Sequence, residues 1–150
     1  MIFVKYCTIE NKSLKKTKMF DCMIIGDSIA VGVSHFRREC VVHAKSGWNS
    51  ERWNKDYLAA ASAHPVQTVI ISLGANDYKG TNTEHHLRVM RAAIKGKRVF
   101  WIGIGPDRKP AVQAAIEKVA SENGDTVLKR PDRQLISADV FIPRITDTRN

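Results

Sequence analysis

"CMIIGDSIAVG", residues Cys22 to Gly32, runs from an apolar stretch through a Gly-Asp-Ser turn into small residues. Met23, Ile24 and Ile25, bounded by Gly26, read as a buried strand, and Ile29, Ala30, Val31, Val33 and Phe36 continue at helical spacing. Ser28 therefore sits where a strand turns into a helix. Two roles suit a serine there. Its hydroxyl caps the helix by accepting a hydrogen bond from an early helical N–H, or it is a nucleophile at the carboxyl end of a parallel strand, where open α/β sheets hold their ligands.

The same alternation runs along the chain. "CVVHAKSG" is a second short apolar run ending in glycine, and "NSERWNKDYLAAASAH" follows it with a serine cap and good helix formers. "VQTVIISLG" is the most strand-like segment, and "NTEHHLRVMRAAIKG" after it places Leu87, Met90, Ala93 and Ile94 on one helical stripe. "RVFWIGIG" is a fourth strand. In "DRKPAVQAAIEKVASENG", Pro110 suits the first helical turn and Gly124 the end of the helix, and "DTVL" makes a shorter fifth strand. Strands alternating with helices predict a three-layer α/β/α sandwich with a parallel, flavodoxin-like sheet of about five strands.

At 150 residues the chain suits one domain with a sizeable core. The net charge of +9 is partly local, because residues 1–18 hold Lys5, Lys12, Lys15, Lys16 and Lys18 against only Glu10. That segment has no convincing period and reads as a disordered extension or a misplaced start, with the folded domain spanning 19–150. The other basic residues are spread along the chain without interleaved aromatics, which points away from a nucleic-acid partner. No apolar stretch approaches membrane-spanning length and none resembles a secretory signal, so the expectation is a cytoplasmic protein with no membrane partner. Cys7, Cys22 and Cys40 show neither metal spacing nor an even disulfide framework, and are expected to be free thiols in a reducing compartment.

In such a sheet the loops after the strands converge on one edge. They carry Gly26-Asp27-Ser28, Ser46-Gly47-Trp48 and Gly74-Ala75-Asn76-Asp77. A serine, a glycine N–H and an asparagine amide supply a nucleophile and donors for a tetrahedral oxyanion, the requirements of acyl transfer. Each has a plainer role as well: Gly47 as a positive-φ turn residue, Asn76 as an Asx-turn residue. Asp27 is expected to brace its turn through local hydrogen bonds. Trp48 and Trp53 either flank a ligand cleft or pack, with packing the commoner fate. His85 and His86 open a helix without a partner at metal spacing, and are read as solvent-facing. His35 and His64 lie near helix ends, and His43 inside a strand.

"GDS" closing the first strand, a glycine after the second and "GAND" closing the third resemble the SGNH/GDSL hydrolase family, whose motifs run in order over residues 22–143. The resemblance implies an ester hydrolase without metal or organic cofactor. Its substrate would be a small-molecule or glycan ester, small acyl or acetyl esters being favoured. Ser28 would be the nucleophile. Its own N–H, that of Gly47 and the Asn76 side chain would form the oxyanion hole, and Asp139 would belong to a C-terminal Asp-x-x-His block. The alternative is a catalytically silent binding module that keeps the pocket.

That last block departs from the pattern. The chain reads Asp139-Val140-Phe141-Ile142-Pro143, with isoleucine where the general base belongs. A serine without its base keeps only the rate that the oxyanion hole and binding provide. A frame error accounts for the change. Asp-Gly-Val-His-Pro, written GAU GGU GUU CAU CCC, becomes GAU GUG UUC AUC CC on loss of one G, which reads Asp-Val-Phe-Ile-Pro. Sequencing the gene should therefore find CAU or CAC in the neighbouring frame across the Phe141 and Ile142 codons. Repairing that frame should restore esterase activity to a nearly inert chain; any other codons there refute the frame error.

Overall fold

The computed structural model describes residues 21–129. Five strands, β1 (Cys22–Gly26), β2 (Val41–Ala44), β3 (Val66–Ser72), β4 (Gly96–Ile102) and β5 (Thr126–Leu128), alternate with four helices. These are α1 (Ser28–Ser34), α2 (Ser50–Ser62), α3 (Thr83–Ala93) and α4 (Pro110–Asn123). All strand pairs are parallel, in the order β2-β1-β3-β4-β5. The three-layer α/β architecture expected from the alternating pattern is therefore present.

Side chains on a strand alternate between faces, and this sorts the core in two. Met23, Ile25, Val69, Ile71, Val99 and Trp101 pack with residues of α2, α3 and α4, including Trp53, Leu87, Met90 and Ile116. Ile24, Ile70 and Ile102 face the other way, where Ala30 and Val33 of α1 meet them. Each fully buried Ile, Val, Leu or Met side chain contributes about 1.5–3 kcal/mol of transfer free energy, so the contact between the central strands and the helices is a main source of stabilisation. At the end of the sheet opposite the strands' carboxyl termini, Arg91 makes two hydrogen bonds to Asp125, at 2.7 and 2.9 Å. Trp101 Nε1–H donates to the same carboxylate at 3.0 Å.

Several local expectations change in detail. Ser28 is the first residue of α1, not its cap; Asp27 is the N-cap, accepting from the Ile29 N–H. Asn49, not Ser50, caps α2. In both cases the carboxylate or amide one residue earlier reaches the free N–H, which releases the serine for other work. Phe36 lies past the end of α1 and is 61% exposed, so the apolar stripe stops at Val33. Trp53 packs, fully buried, and Pro110 and Gly124 begin and end α4 as expected.

The expectation of free thiols is corrected: Cys22 and Cys40 form a disulfide. The register of β1 on β2 pairs Met23 with Val41, so the residue before each partner lies beside the other, with a Cα–Cα distance of 4.7 Å. The 18-residue separation carries no hint of this, because the proximity is made by strand pairing. Disulfides persist in oxidising compartments, and the inference of a reducing one, which rested on free thiols, loses its basis. Among the described residues no helix is long and apolar enough to cross a membrane. The 1–18 segment lies outside the described residues, as does the end of the 19–150 domain.

Closing a loop of this size stabilises by about 3 kcal/mol. Non-reducing peptide mapping should recover Cys22 linked to Cys40, and Cys22→Ser with Cys40→Ser should lower the urea midpoint by an amount corresponding to about 3 kcal/mol. Equal midpoints would show that the crosslink does not hold the edge strand.

Candidate active site

Gly26 ends β1 at a φ of 144°, where a Cβ would lie 1.9 Å from the Ser72 carbonyl oxygen on β3. Only glycine permits that approach. It lets the Asp27 N–H donate to Ser72 O at 3.0 Å and draws Asp27 into the sheet edge, fully buried. Asp27 Oδ1 accepts from the Ile29 N–H at 3.0 Å and from the Ser72 hydroxyl at 3.3 Å. The expected bracing role of Asp27 is thus observed, with a longer reach than its own turn. Ser28 follows it at the exposed start of α1.

The next loops are stitched to this turn. The Lys45 N–H donates to Gly26 O at 3.0 Å, fixing the chain after β2 beside the end of β1. Gly47 follows with a φ of 85°, and nothing lies within 4 Å of the place a Cβ would take. What requires glycine there is the backbone angle, with open space above it. Asn76 Nδ2 donates to Trp48 O at 3.1 Å, joining the loop after β3 to the loop after β2. An amide NH2 has two hydrogens, so this bond orients Asn76 and leaves one donor.

Asp77 anchors the arrangement from below. Its carboxylate, 3% exposed, accepts from the Ser50 N–H at 2.7 Å, the Ser50 hydroxyl at 2.6 Å and the Thr83 hydroxyl at 2.6 Å. Lys109 Nζ donates to Asp77 O at 2.5 Å, which brings in the start of α4. Sequence reasoning misses Ser50, Ser72 and Lys109. Ser50 looks like a helix cap, and its partner lies 27 residues away, beyond any local pattern.

Ser28, Gly47 and Asn76 therefore stand at the carboxyl ends of three adjacent strands, β1, β2 and β3. Asp139 lies outside the described residues. Among the described residues the Ser28 hydroxyl makes no hydrogen bond, to a histidine or to any other group. His43 is on β2, its ring 5.4 Å from His64 and 5.9 Å from Tyr57, and its Nε2 is buried without a partner among the described residues. Burial first, then the neighbouring His64, lowers its pKa and favours the neutral ring. His85 is exposed on the first turn of α3, and His86 beside it is half-buried. Trp48 is half-buried, with Lys45 at 5.4 Å and Arg52 at 4.8 Å from its ring centre and Tyr57 packed against it.

Known proteins of this shape come from solved structures. No protein-family model matches the chain, and no curated protein does. The chain is similar to a GDSL-like lipase from Bacteroides thetaiotaomicron VPI-5482, with 16% identity and a TM-score of 0.53 over 78% of this chain and 72% of that one. It is also similar to the C-terminal catalytic domain of peptidoglycan O-acetyltransferase A from Streptococcus pneumoniae. There the identity is 16% and the TM-score 0.49, over 80% of this chain and 74% of the other. At these identities the likeness is one of fold.

Burial raises the Asp27 pKa above its ordinary 3.8, against the hydrogen bonds from Ile29 and Ser72 that pull it down. Between that ordinary value and the folded one, the folded state binds more protons than the unfolded, so the contribution of Asp27 to stability falls as pH rises through this window. Asp27→Asn keeps an acceptor for the Ile29 N–H and removes the titration. Urea unfolding from about pH 3 to about pH 7 should therefore show the variant gaining on the parent as pH rises, then levelling. Parallel curves would mean that Asp27 titrates normally.

Proposed function

We propose that this chain is a serine ester hydrolase of the SGNH/GDSL type, acting on small acyl or acetyl esters. The convergence of Ser28, Gly47 and Asn76 at one sheet edge, tied by the Asn76-to-Trp48 hydrogen bond, carries this reading. In the reaction Ser28 Oγ attacks the ester carbonyl carbon, and the carbonyl oxygen becomes an oxyanion. The Ser28 N–H, the Gly47 N–H and the free hydrogen of the Asn76 amide stabilise that charge. A base takes the serine proton and returns it to the departing alcohol, leaving an acyl-serine that water then hydrolyses. In the family a histidine oriented by the position of Asp139 is that base; here Ile142 stands in its place.

A second reading is a binding module that holds an ester or glycan carbonyl without cleaving it. It is favoured by the Ser28 hydroxyl, which has no hydrogen-bonded base among the described residues.

A fluorophosphonate probe separates the two. Labelling of the full chain that disappears in Ser28→Ala and slows about a hundredfold in Asn76→Ala supports the hydrolase, since an oxyanion donor acts on the charge developed at the reacting centre. A chain that stays unlabelled after the frame is repaired supports the binding module, and labelling untouched by Asn76→Ala removes Asn76 from the mechanism.

A further inference from the structure

A cavity of about 760 Å³ opens between residues 77–84, which follow Asn76 in the chain, and the first turns of α4. Its size is within the range of small-molecule sites. Its walls come from the segments that follow β3 and β4, whereas Ser28 follows β1, on the other side of β3 in the sheet. Pro110, Ala111, Val112, Ala114 and Ala115 give most of its α4 wall short apolar side chains, and Lys118 lines it from the same helix.

The charges around it are unbalanced. Of its two acids, Asp77 spends its buried carboxylate on Ser50 and Thr83. Glu84 is paired with Arg88 at 2.9 Å and with Lys118 at 3.2 Å. That leaves two lysines. Lys79 has no hydrogen-bond or ion-pair partner among the described residues, and Lys109 is half-buried with its ammonium held on Asp77 O. An ammonium has three donors, and this contact uses one. The two remaining donors face no anionic partner among the described residues. The start of α4 adds the same sign, having Lys109 as its N-cap and no acidic residue in its first turn.

We propose that this cavity is a subsite for a carboxylate carried by the ester substrate, with Lys79 and Lys109 as its counter-charges. The proposal rests on the ester-hydrolase reading for the word substrate, and on the cavity for the carboxylate. An ester bound across Asn76 would place its carbonyl at the oxyanion donors and its acid group on the far side of that residue. A compact organic acid suits the short apolar wall; a neutral ester leaves both ammonium groups without an anion.

The test measures binding, so it does not depend on turnover. Full-length Ser28→Ala is titrated by calorimetry with 4-acetoxybenzoate, monophenyl succinate and phenyl acetate. The first carries its acid on the alcohol side, the second on the acyl side, and the third has none. One of the two acids should bind about tenfold tighter than phenyl acetate, and adding Lys79→Gln with Lys109→Gln should remove that advantage. Lys79→Gln alone, which breaks no contact among the described residues, should remove part of it and guards against a folding defect. Equal binding of all three esters, no binding by any, or a preference that survives both lysine changes overturns the proposal. Fluorophosphonate labelling of the parent chain reports on Ser28 separately. An acid preference without labelling, in the frame-repaired chain as well, would leave the subsite and remove the hydrolase, and labelling without an acid preference would do the reverse.

Discussion

The edge of the sheet depends on one close approach, that of Gly26 to the Ser72 carbonyl. A Cβ at position 26 would sit 1.9 Å from that oxygen, inside any tolerable contact. With glycine there, β1 and β3 stay in register to their last residues, Gly26 opposite Ser72. The Asp27 N–H then has an acceptor at 3.0 Å, and the chain can leave the sheet sharply enough to begin α1 one residue later. Exposure of Ser28 and burial of Asp27 are two results of the same turn. The burial has a cost, since Asp27 Oδ2 finds no partner among the described residues and its carboxyl is pushed toward the neutral form.

Strand order explains why the candidate residues share one edge of the sheet although up to 48 positions separate them in the chain. β1 is followed by β2 on one side and, after α2, by β3 on the other. The connections diverge between β1 and β3, and such a switch point leaves a crevice at the carboxyl ends of the strands. Ser28 and Asn76 follow the two strands on either side of that switch point, and Gly47 stands one strand further out. Hydrogen bonds from Lys45 to Gly26 and from Asn76 to Trp48 convert this shared address into contact between the loops.

What can be read from the sequence follows from the range of the interaction. Apolar runs such as Met23-Ile24-Ile25 and Val69-Ile70-Ile71 declare central strands because both faces of the sheet are covered there. Pro110 and Gly124 mark the ends of α4 through local backbone preferences. "GDS" and "GAND" mark the candidate site because each is a turn of fixed local form. By contrast, the Cys22–Cys40 bridge and the Ser50–Asp77 and Lys109–Asp77 contacts join residues brought together only by strand pairing or by helix docking. A serine before a helical stretch looks like a cap whether or not a buried aspartate waits for it. Ser50 is such a serine, and Asn49 does the capping.

Asp77 shows how Asn76 and the cavity are made parts of one object. Its carboxylate holds the start of α2 through Ser50 and the start of α3 through Thr83, while its carbonyl oxygen holds Lys109 at the start of α4. Three helices are thereby fixed to the residue that follows Asn76. A buried carboxylate with three donors is well satisfied, and loss of any one donor would leave a buried oxygen atom less well paired. The Asn76 amide is therefore positioned by the docking of helices whose apolar faces pack on the sheet, and the lysine at the cavity is positioned by the same residue. A substitution that loosens α4 would disturb the ammonium of Lys109 first and Asn76 only through Asp77. The two functions proposed for this edge are linked in structure but separable by mutation.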